Sequence, residues 1–148
     1  MNKIVLLLCS LVLTSTAIAA DKERTISATM PQGITVVAEE GALEPRSAGS
    51  YSLQLYAKND PAYPYDKFIT GLVSPRNGAL AEIKFADLTH DGKPEIIVIT
   101  RYIGSGSFVT VDAFHIRKKS VQLLTSIAGM DAKKDPIKEL KNKLNKGR

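Results

Sequence analysis

Glu95-Ile96-Ile97-Val98-Ile99-Thr100-Arg101-Tyr102-Ile103-Gly104-Ser105-Gly106-Ser107-Phe108-Val109-Thr110-Val111-Asp112-Ala113-Phe114-His115-Ile116 is the stretch that sets the fold. From Glu95 to Ile103 it is almost continuously apolar and β-branched, the composition of a central strand buried on both faces. Phe108 to Ile116 has the same character, and only the small residues Gly104-Ser105-Gly106-Ser107 separate the two. Two strands joined by so short a connection pair antiparallel, because a parallel return needs a crossover of a dozen residues or more.

Working outward, further strands share this pattern. Arg24 to Met30 alternates, and Pro31-Gln32-Gly33 turns it into Ile34-Thr35-Val36-Val37-Ala38. Tyr51 to Tyr56 has period two, with Leu53 and Leu55 on one face. Phe68 to Val73 runs into Ser74-Pro75-Arg76-Asn77-Gly78, which reads as a tight turn closed by Asn-Gly. Leu80 to Phe85 alternates again, and Val121 to Ile127 completes a set of about eight. Short strands at this spacing predict an all-β fold, an antiparallel sandwich or a closed barrel. A short C-terminal helix follows. Asp135 caps it, Pro136 occupies its first position, and Ile137, Leu140 and Leu144 form a stripe that should dock on the sheet.

The chain has 148 residues, a single Cys, two His, no Trp and a formal net charge of +5. Met1 to Ala20 is read as a secretory signal: a cationic start at Lys3, an apolar run from Ile4 to Leu13, and small residues at Ala17-Ile18-Ala19-Ala20. The run is too short to span a bilayer, and Cys9 lies too early, without a small residue before it, for a lipoprotein site. A single domain of residues 21–148 remains, read as exported into an oxidising space and free of cysteine, which excludes thiolate catalysis and Cys-based metal sites. Residues 133–148 hold seven basic and two acidic residues, whereas residues 21–132 hold twelve basic and thirteen acidic. The positive charge therefore sits in the tail, and gives no support to nucleic acid as a partner. No other segment is apolar enough to insert in a membrane.

Asp87-Leu88-Thr89-His90-Asp91-Gly92-Lys93-Pro94-Glu95 partly resembles a calcium loop, but Thr89 and Lys93 stand where oxygen ligands would be wanted. A tight turn with Asp87 bonding its own backbone is favoured over a small calcium- or ligand-binding module. His90 and His115 have no partner at metal-ligand spacing, so no metal or cofactor is assigned. Ser105 and Ser107 lack the G-x-S-x-G elbow of a serine hydrolase, and Val109 breaks a G-x-G-x-x-G pattern, so an enzyme is disfavoured. The basic tail keeps an anionic-surface binder among the alternatives. Gly104 to Ser107, flanked by Arg101-Tyr102 and Phe108, reads either as a plain hairpin connection or as a recognition finger with hydroxyl donors and an aromatic anchor. Glu44-Pro45-Arg46-Ser47-Ala48-Gly49-Ser50-Tyr51 is a second polar loop ending in an aromatic.

With these residues in place, the chain resembles the periplasmic inhibitors of invertebrate-type lysozyme. The resemblance is carried by Glu44-x-Arg46-Ser47-x-Gly49-Ser50-Tyr51-Ser52-x-x-Leu55-Tyr56, Gly78-Ala79-Leu80, Ala86-Asp87, Glu95-Ile96, Gly104 through Phe108, and Ala128-Gly129, in that order. It implies an eight-stranded antiparallel sandwich that pairs as a homodimer. It also implies that Gly104, Ser105, Gly106, Ser107 and Phe108 enter the lysozyme substrate cleft, with Arg101 and Tyr102 as flanking contacts. Arg46, Ser47, Ser50 and Tyr51 would form a second contact loop. Family members usually carry tyrosine where this chain has Phe108, which keeps the apolar contact and loses the hydroxyl.

Overall fold

The computed structural model describes residues 24–147, so the signal assigned to residues 1–20 lies outside the described residues. Eight strands form two sheets. The first holds β1 (Thr25–Thr29), β2 (Thr35–Glu40), β3 (Ala48–Tyr56) and β4 (Phe68–Asn77). The second holds β5 (Ala79–Ala86), β6 (Glu95–Arg101), β7 (Phe108–Arg117) and β8 (Ser120–Asp131). Strand order follows chain order in each, and every pairing is antiparallel. β1 lies against β5 and β4 against β8, making the sandwich. The all-β expectation holds.

The period-two residues of β2 and β3 explain the inner layer. Val36, Ala38, Leu53 and Leu55 face inward and meet Ile96, Val98 and Phe114 from the other sheet. The alternate residues of β6, Ile97 and Ile99, form a second apolar cluster with Val111, Ala113 and Met130 on the outer face of the second sheet. Leu88 and the helix α1 (Pro136–Lys146) cover that cluster, with Leu140 fully buried and Ile137 and Leu144 beside it. β6 is thus apolar throughout because a sheet covers one face and a helix the other. Asp135 caps α1, its Oδ1 accepting from Ile137 N at 2.9 Å, with Pro136 at the first position as the sequence predicts.

One connection differs from expectation. Ser74, Pro75, Arg76 and Asn77 do not turn; they belong to β4, and Gly78 alone marks the step from the first sheet to the second. β4 is an edge strand, where a proline without an N–H is tolerated. The alternation that buries Leu72 continues through Ser74 and Arg76, both turned inward. Gly78 has φ +106, a left-handed conformation open to glycine. β8 also runs past Ile127 to Asp131, with a register shift opposite Val109 and Val111.

Candidate functional site

β6 and β7 pair as far as Arg101 and Val109, and residues 102–107 project beyond them. Tyr102 N donates to Phe108 O at 3.0 Å, closing the stem, and Ala132 N donates to Ser107 O at 2.8 Å, tying one shoulder to the end of β8. Ser105 and Ser107 are exposed. So are three large apolar or aromatic groups: Tyr102 at 46%, Ile103 at 48% and Phe108 at 48%. The glycines account for how the rings lie. A Cβ on Gly104 would stand 2.4 Å from Tyr102 Cε1, and one on Gly106 would stand 2.5 Å from Phe108 Cδ2. Each ring therefore rests on a glycine two residues away, so the loop is filled by its own aromatics.

The second loop is held from inside. Glu44 accepts from Ser50 N at 2.5 Å and from Ser50 Oγ at 2.9 Å. Its carboxylate occupies the space where a Cβ at Gly49 would be. Arg24 donates to Gly41 O and Glu44 O, both at 3.0 Å. Arg76 is buried, at 4% exposure, and donates to Arg46 O at 2.7 Å, Ser50 O and Pro45 O at 3.1 Å, Ala48 O at 3.3 Å, and Gly78 O. Glu40 at 3.7 Å and Glu44 at 3.6 Å balance its charge. Buried Glu40 also accepts from Leu80 N at 2.7 Å and lies 3.5 Å from Arg46 Nε. A guanidinium has five donors in a fixed plane, so one side chain can fix a whole loop.

Gly78 joins the two loops. Its N–H donates to Ser47 O at 2.8 Å. A Cβ there would lie 2.1 Å from Arg101 O and 2.8 Å from Tyr102 N. The second loop therefore packs, through Gly78, on the stem of the finger.

The sequence places Tyr51 among the contact residues, and the structure corrects this. Tyr51 is fully buried, packs edge-on against Phe114, and donates its hydroxyl to Asp112 Oδ2 at 2.8 Å. Burial and the neighbouring Asp112 charge raise its pKa, so it stays a neutral donor. Asp112 also accepts from Ser126 Oγ. Ser50 is half-buried against Glu44, while Ser47 and the partly exposed Arg46 side chain face outward. Arg101 is exposed at the end of β6. Glu40 and Arg76, which the sequence does not single out, prove to be the frame.

The Asp87–Glu95 segment lies at the opposite end of β6. Asp87 accepts from His90 N at 2.7 Å and Gly92 N at 2.9 Å. Glu95, buried, accepts from Leu88 N at 2.7 Å and Thr89 Oγ1 at 3.2 Å. These carboxylates serve the turn's own donors. Among the described residues no group of three or more His, Cys, Asp or Glu could hold a metal ion.

The frame makes a stability prediction. The N–H and hydroxyl of Ser50, with a further contribution from Arg76, favour the charged form of Glu44 and hold its pKa below the ordinary 4.5. A depressed folded pKa means that Glu44 stabilises fully above the ordinary value and loses this as pH falls through the folded value. Urea denaturation of wild type and Glu44→Gln should therefore give a difference at neutral pH that is smaller at a pH well below 4.5. Arg76→Met, which strands Glu40 in the interior, should cost about 3–5 kcal/mol at neutral pH. An equal Glu44→Gln effect at both pH values contradicts the assignment.

Residues 22–144 match the family model described as periplasmic lysozyme inhibitor of I-type lysozyme. A search of curated protein sequences gave no significant match. Among solved structures, PliI-Ah, a periplasmic lysozyme inhibitor of I-type lysozyme from Aeromonas hydrophila, is 38% identical with a TM-score of 0.69, over 78% of this chain and 98% of that one. Aeromonas hydrophila PliI in complex with Meretrix lusoria lysozyme is also 38% identical, with a TM-score of 0.70, over 79% of this chain and 94% of that one. The family match takes in nearly all of the described residues. The chain belongs to the family of periplasmic inhibitors of I-type lysozyme, proteins that block an enzyme without being one.

Proposed function

We propose that this chain inhibits an invertebrate-type lysozyme by inserting Gly104, Ser105, Gly106, Ser107 and Phe108 into the enzyme's substrate cleft. The observation that carries this is the finger itself, a projecting loop packed by its own rings and braced by a buried salt-bridge frame. A glycosidase cleft presents two carboxyl groups around the scissile bond. The Ser105 and Ser107 hydroxyls donate to such carboxylates, and the glycines allow close approach. Phe108, Tyr102 and Ile103 supply apolar anchoring of the kind that dominates interface energetics. A loop already ordered before binding loses little entropy when bound. Arg101, Arg46 and Ser47 border the finger and form the rim of the contact.

The family is periplasmic. We assign residues 1–20 to a cleaved export signal and residues 21–148 to the mature domain, which meets lysozyme before it reaches peptidoglycan. No helix among the described residues is long and apolar enough to cross a membrane. The mature chain pairs with a second copy. Phe68, at 61% exposure, and Val73, at 72%, lie on the outer face of the first sheet and offer apolar surface for such pairing.

Turbidity loss of peptidoglycan-containing cells, with an invertebrate-type lysozyme and increasing inhibitor, tests the finger. Phe108→Ala should weaken inhibition about 30-fold, corresponding to ~2 kcal/mol, while Phe108→Tyr retains it. Replacing Ser105, Ser107 and Phe108 together should abolish inhibition with the melting temperature preserved. Unchanged inhibition by the triple variant overturns the assignment. In sedimentation velocity the wild type should run as a dimer and Val73→Lys as a monomer; a monomeric wild type refutes the pairing.

A further inference from the structure

The pole opposite the finger carries a cleft of about 930 Å³, where the β7–β8 turn, the Asp87–Glu95 segment and the end of α1 converge. β7 has ten residues, so its length separates this cleft from the finger by about 30 Å. Lys93, Arg117, Lys118 and Lys143 stand around it, all exposed. Its apolar lining is Leu124 with Ile34 and Ile116, which pack on the core between the sheets, and Leu144, which packs on the outer cluster. The acids in its wall are Asp91 and Glu95; both oxygens of Glu95 are used by Leu88 and Thr89, and Asp91 accepts from Lys93 N at 2.9 Å. Lys143 donates to Ser126 O and retains further donors.

The body carries almost no net charge, so four cations around one concavity are a local concentration. The tail lysine Lys143 is brought beside Lys93, Arg117 and Lys118, which are distant in sequence. The β7–β8 turn brings Lys118 to the rim of the cleft. Lys118 sits at φ +56, a conformation that costs a side-chain-bearing residue about 1 kcal/mol and that glycine adopts freely. A lysine occupies a position whose backbone favours glycine. Lys118 and Lys119 alone turn β7 into β8, and a positive φ is what so tight a hairpin requires.

We propose that this cleft binds a phosphate-bearing amphiphile, with the phosphoryl oxygens among Lys93, Arg117, Lys118 and Lys143 and a short alkyl stem against the apolar part of the lining. A doubly charged group gains most from a ring of cations, and Arg117 adds a planar fork suited to phosphate. The apolar part of the lining separates such a ligand from a simple inorganic ion, and the volume lies within the range of small-molecule sites.

Isothermal titration calorimetry of the full mature chain with hexyl phosphate at low ionic strength tests the site. The double variant Lys93→Gln/Lys118→Gly should bind at least about tenfold more weakly. Its melting temperature should not fall, since glycine relieves the turn, and its inhibition of lysozyme should stay at the wild-type level. Lys138→Gln, which removes one charge from an exposed part of α1 outside the cleft, should bind as wild type does. Vesicles of phosphatidylglycerol, with phosphatidylcholine for comparison, distinguish the source of the phosphate. Vesicle binding displaced by hexyl phosphate assigns a lipid headgroup, and hexyl phosphate binding without vesicle binding assigns a soluble ester; both place the ligand in the cleft. Absence of heat with wild type at about 1 mM ligand overturns the proposal. So does an equal loss of binding in Lys138→Gln.

Discussion

Arg76 is a permanent cation that water does not reach, and the finger end of the sandwich is arranged around satisfying it. A desolvated guanidinium is tolerated only when its donors are used and its charge is balanced. Five backbone carbonyls and two carboxylates do this here. Four of the carbonyls belong to residues 45–50 and the fifth to Gly78, so the loop and the sheet-to-sheet step are bound to one side chain. Glu40 completes the arrangement by accepting from Leu80 N, at the first turn of chain in the second sheet. The two sheets are thereby joined by polar contacts at one end and by Leu, Ile and Val packing along the rest.

Stiffness at the finger follows from this joint. Gly78 has no room for a side chain against Arg101 and Tyr102, so the stem cannot shift without disturbing the Arg76 frame. Tyr51 adds a second brace, its hydroxyl held by Asp112 on β7, the strand that leads out of the finger. Recognition residues on a short loop become precise when the elements beneath them are fixed, and binding then costs less ordering entropy. The two poles divide the chemistry. Hydroxyls and aromatics stand at the finger end, and cations around a cleft stand about 30 Å away.

Much of this was legible in the sequence. The continuous apolar run of β6 announced a strand covered on both faces, and the stripe of Ile137, Leu140 and Leu144 announced the helix that supplies one cover. The small residues between Tyr102 and Phe108 marked the β6–β7 connection and left its role open between a plain hairpin and a recognition finger. Ser74-Pro75-Arg76-Asn77-Gly78 misled, because turn-forming residues and period-two alternation made opposite claims and the alternation won. Continuing the inward positions from Leu72 through Ser74 to Arg76 was the one available signal. Tyr51 was legible too, since it shares the period-two face of Leu53 and Leu55, but its place at the end of a polar loop made the opposite claim and the alternation won again. The tail charge was visible as a count, but its meeting with Lys93 and Arg117 required the fold.

Mutual exclusion between inhibitor and saccharide tests the central claim most directly. An invertebrate-type lysozyme preloaded with a chito-oligosaccharide in its cleft should be titrated with the inhibitor at several saccharide concentrations. If Gly104 through Phe108 occupy the cleft, the apparent Kd of the inhibitor rises in proportion to saccharide occupancy. An apparent Kd unaffected by saturating saccharide would contradict the account.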